Sequence, residues 1–392
     1  MKVNPLLEAR HQTSGLNNLF NGDGLTFANY VTLNRNMIAT VRAHDPRLNQ
    51  IVDGNSPFAL QPSTQSAVGH TKPYRRGILL THGLTDSPYS MHHLAKFFQQ
   101  QGFRVLGILL PGHGTQPGDT LEVRWQEWAK AVAYGTDQLA KEADEIFLGG
   151  YSAGGVLTLN QSLHDPRVRG LFLFSPALKI SSRAARANWH KIYSWLKPTA
   201  KWISIKPDTD IYKYESSTKN IAAQLYALIK QFNRQWAGHP LNIPIFTVAS
   251  QDDATADSTA TVDFMARATH PLSKLVLYTT DPSQSPPGIA PEKLELVNSH
   301  LPDQKILSSA HTAVVLAPND AHYGHAGDYC NCIHYYPDEM DKYQACNRGD
   351  ADILQGEISA GNLKSGILRR LMVNPNFAAL EISMKKFIER LG

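Results

Sequence analysis

The chain has 392 residues, of which 42% are hydrophobic and 18% are charged, so it can bury a large core and is too apolar to be disordered. Its net charge of +4 is small, and no block of lysines and arginines indicates nucleic-acid binding. No apolar run reaches the roughly 18 residues needed to cross a bilayer, and residues 1–10 lack the apolar region of a signal peptide. We therefore expect a cytoplasmic protein, or a periplasmic or secreted one if a leader has been removed.

The first half of the chain contains an extension followed by alternating strands and helices. Residues 1–73 are predicted to be an N-terminal extension packed on the core, with a helix over 26–42. From 74 to 177, apolar runs alternate with amphipathic stretches. Buried strands are predicted over 77–81, 104–110 and 168–174. This alternation is typical of a mostly parallel sheet covered by helices on both faces, so 74–177 is predicted to be the first part of an α/β core.

The chain is organised around residues 145–163, where an apolar strand ends in Gly-Tyr-Ser-Ala-Gly at 150–154 and an amphipathic stretch follows at once. A serine on such a strand–turn–helix junction projects its hydroxyl from the sheet edge. The flanking glycines are needed because a Cβ there would collide with the neighbouring strand or helix. The alternative is that Ser152 is an ordinary turn residue. The strand before it and the helix after it favour a nucleophile.

Residues 178–240 interrupt the alternation and are predicted to be a helical insertion. The stretch 178–236 holds four of the six tryptophans, and eleven lysines and arginines stand there against three acidic residues. One interpretation is a set of surface helices with solvated basic faces. The other is a lid whose aromatic side covers an apolar acyl pocket and whose basic side attracts anionic substrates.

Residues 241–392 are predicted to be the second part of the core, with inserted loops. A strand over 244–249 leads to three candidate acids, Asp252, Asp253 and Asp257. Counting from Pro244 favours Asp253, with Asp252 next. Residues 281–303 are rich in proline and polar residues and are predicted to be an inserted loop. A closing amphipathic helix is predicted over 377–391.

Several histidines follow the candidate acid, and one of them has the flanking pattern of a catalytic base. His311 follows an apolar stretch, 305–311, that predicts a strand end, and it precedes a helix-like run. His311 is therefore favoured over His270, His300, His322, His325 and His334. His82 and His113 lie in loops earlier in the chain and are predicted to be structural.

The three cysteines, Cys330, Cys332 and Cys346, lie in one C-terminal segment and cannot form a disulfide framework for the whole fold. One bridge with one thiol left over, three plain thiols, and a zinc site that uses nearby histidines are the alternatives. The C-x-C spacing matches no standard structural-zinc pattern, so a local disulfide or plain thiols are favoured.

Four features together resemble the α/β-hydrolase superfamily, in particular the bacterial carboxylesterase and monoacylglycerol lipase group. They are Leu-Thr-His-Gly-Leu at 80–84, Gly-His-Gly at 112–114 with two tryptophans downstream, Gly-Tyr-Ser-Ala-Gly at 150–154, and the order serine, aspartate, histidine. The resemblance covers roughly residues 75–320. Ser309-Ala310-His311 departs from the family's usual Ser-Gly-His only at Ala310.

The resemblance implies a serine hydrolase that cleaves carboxylic esters, such as acyl glycerols, lysophospholipids or short- to medium-chain esters, through an acyl-enzyme. Ser152 would be the nucleophile, His311 its base and Asp253 the carboxylate that orients the imidazole. The fold would supply the oxyanion hole from the backbone N–H groups of Leu84 and Ala153. No cofactor and no metal are implied.

Two alternatives stay open. A peptidase or amidase could use the same triad, because acylation needs the same groups. A non-catalytic binding protein with this fold is the other, although the intact set of Ser152, Asp253 and His311 argues against it. The expected partner is a small-molecule ester, with transient contact with lipid surfaces through the lid. The sequence does not indicate an oligomeric state.

Overall fold

The computed structural model describes residues 7–63, 71–180, 198–237, 241–349 and 352–392. The chain divides into two compact units. The first unit comprises Met1–Leu171 and Ile180–His239, and the second comprises Phe172–Lys179 and Pro240–Gly392. Among the described residues, no helix combines the length and the hydrophobicity needed to span a membrane.

The described helices and strands alternate along most of the chain. The helices are α1 (Phe27–Val41), α2 (Leu48–Asn55), α3 (His92–Gln100), α4 (Trp125–Glu142), α5 (Ala153–His164), α6 (Lys219–Trp236), α7 (Ser258–Ala266), α8 (Met340–Arg348) and α9 (Phe377–Arg390). The strands are β1 (Phe58–Leu60), β2 (Tyr74–Thr81), β3 (Phe103–Ile108), β4 (Ala143–Tyr151), β5 (Val168–Phe174), β6 (Trp202–Ser204), β7 (Ser217–Thr218), β8 (Ile245–Ser250), β9 (Lys274–Thr279), β10 (Leu294–Asn298), β11 (Leu354–Gly356) and β12 (Leu368–Arg370).

In the first unit the strand order is β1-β3-β2-β4-β5. Within the central sheet, the pairs β2–β3 and β2–β4 are parallel, and the short edge strand β1 runs antiparallel to β3. The buried parts of β2, β3 and β4 are continuous apolar runs, as expected for strands covered on both faces by helices. The prediction of a mostly parallel central sheet with helices on both faces is confirmed.

The N-terminal extension is part of the first unit. The predicted helix over 26–42 is observed as α1, and its Tyr30, only 1% exposed, donates a hydrogen bond to the carbonyl of Leu109 over 2.9 Å. Strand β1 was not predicted, because it has three partly exposed residues within turn-rich sequence. The extension thus contributes both a strand and buried side chains to this unit.

The predicted insertion, 178–240, is only partly described, since residues 181–197 with Trp189 and Trp195 lie outside the described residues. The described part contains the two-stranded sheet β6–β7, which the prediction of an all-helical segment missed. Helix α6 buries an apolar face and packs against α4 and α5. Trp202 packs edge-to-face on His11, and Trp236 stacks on Phe232. The two described tryptophans therefore pack within the first unit.

In the second unit, strand β8 lies beside the end of β5, and β8, β9 and β10 follow in parallel order. Helix α9, predicted over 377–391, packs its Phe387 against Phe172 and Phe246. Helix α8 and the parallel pair β11–β12, which the sequence analysis did not predict, lie between β10 and α9 in the chain.

Two predictions in the second unit are wrong. The region 281–303 is not only a loop, because its residues 294–298 form β10. The stretch 305–311 is not a strand of the sheet. Ile306 instead makes single backbone bridges to Leu301 and Gln355, and its side chain is buried against Leu371 and neighbouring apolar residues. Lys305 has a left-handed backbone that turns the chain. His311 is consequently delivered by a loop and not by a strand end.

Candidate active site

Ser152 lies in the first unit at the junction between β4 and α5. Its φ of 54° and ψ of −115° are unfavourable for a residue with a Cβ, so the turn is strained. The side chain is mostly buried, with the residue 8% exposed. Strain of this kind is typical of a nucleophile elbow, in which the serine is held at the apex of a sharp turn.

Two glycines make this turn sterically feasible. A Cβ on Gly150 would lie 2.3 Å from the carbonyl oxygen of Gly154, and a Cβ on Gly154 would lie 2.2 Å from that of Thr81. Both distances are far below van der Waals contact, so only glycine fits at these positions. The steric argument made from the sequence therefore holds in the structure.

The two predicted oxyanion donors lie near Ser152 in the first unit. Ala153 is the first residue of α5, where helix N–H groups have no partner within the helix and the helix dipole favours negative charge. Leu84 follows Gly83, and a Cβ on Gly83 would lie 3.2 Å from the Cβ of Ser152. The serine turn and the loop 82–86, which we call the oxyanion loop, are thus direct neighbours.

The first residue of the oxyanion loop, His82, is fixed by hydrogen bonds at both nitrogens of its ring. The imidazole of His82 is fully buried, with Nδ1 2.8 Å from the carbonyl oxygen of Gly83, and its Nε2 accepts a hydrogen bond from the N–H of Leu110. Burial, together with nearby His113, holds the pKa of His82 well below its ordinary value. Burial likewise lowers the pKa of His113 to about 4. Both imidazoles are therefore neutral at pH 7, in keeping with structural roles.

Residues of the predicted insertion contact the other side of the oxyanion loop. The backbone N–H of Tyr214 donates to the carbonyl of Thr85 over 2.7 Å, and Nζ of Lys213 lies 3.4 Å from the carbonyl oxygen of Leu84. Thr85 has a φ of 61°, so the chain turns sharply there. Burial raises the pKa of Asp86, while Lys213, 3.9 Å away, acts against that rise. The sequence analysis did not identify Lys213.

Asp253 and His311 lie together in the second unit. The Nδ1 of His311 is 2.6 Å from Oδ2 of Asp253, and the two side chains are 5% and 4% exposed. Asp253 follows β8, and its Oδ1 accepts hydrogen bonds from the N–H groups of Thr255 and Ala256 over 2.7 and 2.8 Å. Burial alone would raise the pKa of Asp253, but His311 and these hydrogen bonds hold it below its usual range. The carboxylate is therefore ionised at neutral pH.

The rival residues are placed differently. Asp252, the second candidate acid, is half-buried, and burial, reinforced by Glu357, raises its pKa. Asp257, the third, caps the N-terminus of α7 and pairs with Lys179. His322 also pairs with an aspartate, Asp328, but that side chain is 59% exposed and does not follow a sheet strand. Of the candidate acids near the end of β8, Asp253 is the one bonded to His311.

Of the three cysteines, Cys332 and Cys346 form a disulfide, and Cys330 keeps a free thiol. This structure therefore does not contain a zinc site built on all three cysteines, because the thiolate is the form that binds metal and the sulfurs of a disulfide are not thiolates. The bridge closes a short loop within the second unit.

The fold and these residues define a protein of the α/β-hydrolase superfamily, as the resemblance predicted. The family model described as serine aminopeptidase, S33, matches residues 72–280, which is more than half of the chain. The chain belongs to this family.

The chain is also similar to individual proteins. A thermostable monoacylglycerol lipase of Bacillus sp. (strain H-257) is 36% identical over 109 residues, which are 28% of this chain and 44% of that protein. A carboxylesterase of Bacillus subtilis (strain 168) is 23% identical over 158 residues, 39% of this chain and 63% of that one. The chain thus matches less than two thirds of the length of either relative. The solved monoacylglycerol lipase of Paleococcus ferrophilus gives a TM-score of 0.45 at 16% identity, over 59% of this chain and 92% of that one.

Proposed function

We propose that this protein hydrolyses carboxylic esters through an acyl-enzyme, with Ser152 as nucleophile, His311 as general base and Asp253 as the carboxylate that orients the imidazole. The observation that carries the proposal is the buried 2.6 Å contact between His311 and Asp253, taken with the strained turn at Ser152. The names of the two Bacillus relatives, a monoacylglycerol lipase and a carboxylesterase, support an ester as the substrate.

Each group has a defined chemical task. A serine hydroxyl is a poor nucleophile until a base removes its proton, and imidazole is suited to that task near neutral pH. When the Nδ1–H group of His311 donates a hydrogen bond to Asp253, Nε2 is the nitrogen left to accept the proton of Ser152. The carboxylate of Asp253 also stabilises the imidazolium that forms in the transition state.

The negative charge that develops on the ester oxygen requires donors that are already in place. We propose the backbone N–H groups of Leu84 and Ala153 for this role. Loss of one such donor typically costs about 2.7 to 4 kcal/mol of transition-state stabilisation. The contacts of Lys213 and Tyr214 with the oxyanion loop support a fixed position for the N–H of Leu84.

The substrates proposed are acyl glycerols, lysophospholipids or esters of short to medium acyl chains, held under a lid formed by part of 178–240. Aminopeptidase activity on the same triad is the second candidate, because the family to which the chain belongs is described by that activity. Comparing p-nitrophenyl esters of graded chain length with aminoacyl anilides separates the two candidates. A higher kcat/KM for the anilides would favour the peptidase.

The first prediction is that Ser152→Ala abolishes ester cleavage and labelling by a fluorophosphonate probe. Only the hydroxyl oxygen is removed, and it carries the covalent step. Circular dichroism and thermal unfolding should match those of the wild type, because both residues place a Cβ on the same strained backbone. Turnover and labelling equal to the wild type would disprove the serine mechanism.

A further inference from the structure

Glu357 is a buried acidic side chain that the proposed mechanism has not yet used. It is 1% exposed, lies directly after β11, and stands outside the residues matched by the family model. A buried carboxylate is costly unless its oxygens accept hydrogen bonds or meet a cation. The partners of Glu357 therefore show what its burial serves.

One oxygen of Glu357 binds the backbone of the candidate base. Oε2 accepts a hydrogen bond from the N–H of His311 over 2.8 Å. His311 opens a short 3-10 turn, so its N–H has no partner within that turn. The next residue is bonded as well, because the hydroxyl of Thr312 donates to the carbonyl of Leu371 over 2.7 Å. The histidine loop, residues 308–316, is thus fixed by residues 357–371 of the C-terminal part of the chain.

The other oxygen of Glu357 connects to the acid. Oε1 accepts from the N–H of Ile358 over 2.8 Å and pairs with Nη2 of Arg370 at 3.0 Å. The same Nη2 donates to the hydroxyl of Thr255 over 2.6 Å. The N–H of Thr255 in turn donates to Oδ1 of Asp253 over 2.7 Å.

These bonds form a closed ring through the acid loop, residues 251–257. The ring runs from the backbone of His311 through Glu357, Arg370, Thr255 and Asp253 to Nδ1 of His311. It holds the main chain of the histidine and the carboxylate of the aspartate at a fixed separation. Because a displacement of about 1 Å can cost on the order of 10²-fold in rate, such a ring has a direct consequence for catalysis.

The strands that carry the ring are themselves anchored. Strand β11 exchanges backbone hydrogen bonds with the stretch before His311: Gln355 donates to Lys305, and Leu307 donates to Gln355. On β12, the backbone N–H of Arg370 donates to the carbonyl of Asn331 over 3.0 Å. Asn362 donates to Ser308 Oγ and to the carbonyl of Glu357. The carboxylate thus occupies a built position within the second unit.

We propose that Glu357 is a positioning residue for His311, and that Arg370 extends this role to Asp253. The inference rests on the proposed function, since it assumes that His311 is the base. Glu357 touches the main chain of His311, so it acts through the histidine and not on the substrate. Its loss should therefore lower kcat and leave KM nearly unchanged.

The test compares Glu357→Ala and Glu357→Gln by steady-state hydrolysis of a p-nitrophenyl ester. Glu357→Ala removes the acceptor, and we expect kcat to fall about 10²-fold while KM stays within about threefold. Glu357→Gln keeps a neutral oxygen for the N–H of His311. We expect it to retain at least about a tenth of kcat, because a neutral hydrogen bond is roughly half as strong as a charged one.

A matched control is Glu295→Ala in the same unit. Glu295 on β10 accepts from Ser383 and pairs with Lys274, and neither belongs to the histidine loop or the acid loop. We expect this variant to lower the melting temperature and to keep kcat. Equal kcat losses in Glu357→Ala and Glu295→Ala would show that Glu357 is merely structural and would overturn the proposal.

Two further variants make the result decisive. If Glu357→Ala does not fold, Arg370→Gln breaks the ring and leaves the bond from His311 to Glu357 intact. We expect it to lose roughly tenfold in kcat, and an unchanged kcat would overturn the inference.

His311→Ala separates this inference from the function on which it rests. If His311→Ala is as active as the wild type, the proposed base is wrong. If it is inactive while Glu357→Ala keeps full kcat, only the positioning role is wrong.

Discussion

Ser152 and His311 are held in place by residues at very different distances along the chain. The turn at Ser152 depends on Gly150 and Gly154, each two residues away. The loop at His311 is bonded to Asp253, 58 residues earlier, and to Glu357, 46 residues later. The proposed nucleophile is positioned largely by local backbone geometry, and the proposed base by long-range side-chain contacts.

This difference determines how each part responds to mutation. A strained turn fails when a Cβ is added, because the collision is with backbone atoms that cannot rotate away. A hydrogen-bonded ring fails when a partner is removed, because a buried polar group is then left unsatisfied. Added atoms should therefore damage the serine side most, and removed atoms the histidine side.

Among the substitutions that test this difference, Asp253→Asn is expected to have the largest effect. An asparagine that donates its amide N–H to Nδ1 of His311 would place the imidazole proton on Nε2, the nitrogen that accepts the proton of Ser152 in the proposed mechanism. We expect kcat to fall by about 10⁴-fold. The measurement is single-turnover and steady-state hydrolysis of a p-nitrophenyl ester at pH 7 to 8.

Asp252→Asn is the matched control for this prediction. This substitution removes the charge of Asp252, which lies next to Asp253. Burial and Glu357 both raise the pKa of Asp252, so its charged form is disfavoured there and losing the charge should not weaken the site. We expect kcat within about threefold of the wild type, the range of a change that does not touch transition-state contacts. A large loss in Asp252→Asn with an active Asp253→Asn would assign the acid to Asp252.

The same contrast explains which parts of the molecule could be predicted from the sequence. Strands β2, β4, β5, β8 and β9 are apolar runs bounded by turns, and the glycines around Ser152 are adjacent in the chain. Such features are visible within a short window. Strand β10 is a half-buried edge strand with polar Glu295, so its pattern resembled a loop.

The predicted strand over 305–311 shows the limit of reasoning from hydrophobicity. Ile306 is apolar and buried, but it bridges to Leu301 and Gln355 instead of joining the central sheet. Gln355 lies far along the chain, and nothing in the sequence around Ile306 indicates that pairing. Glu357 and Arg370 gave no signal either, because they lie in short strands and loops without periodicity. Residues fixed by contacts between distant segments cannot be found in one sequence by periodicity alone.

An intermediate effect is expected for Gly154→Ala. The new Cβ would lie 2.2 Å from the carbonyl oxygen of Thr81 and 2.6 Å from that of His82, so α5 must shift and take the N–H of Ala153 with it. We expect a loss of about 1 to 3 kcal/mol in the free energy of unfolding and a fall in kcat of about 10²-fold. Urea denaturation and ester hydrolysis measure the two effects.

Gly361→Ala provides the comparison for this substitution. Its φ is −70°, and an added Cβ would meet only Ser359 Oγ, at 3.9 Å, within contact range. We expect both the activity and the unfolding free energy to stay close to those of the wild type. If Gly154→Ala behaved in the same way, the turn at Ser152 would be less constrained than its geometry indicates.

The smallest effect on activity is expected from loss of the Cys332–Cys346 disulfide, whose contribution is mainly to stability. The bridge joins residues 14 apart, and a loop of that size corresponds to about 3 kcal/mol in the free energy of unfolding. Residues near the bridge hold β12, since Tyr335 accepts from the N–H of Leu368 and the carbonyl of Cys346 accepts from Arg369.

Replacing both cysteines by serine should therefore lower the melting temperature clearly and lower kcat by less than about tenfold, because the bond from Glu357 to His311 remains. Cys330→Ser is the control, since its thiol is not in the bridge, and a reducing agent should reproduce the double variant in the wild type. A melting temperature that does not change on reduction would show that β11 and β12 hold the histidine loop without help from the disulfide.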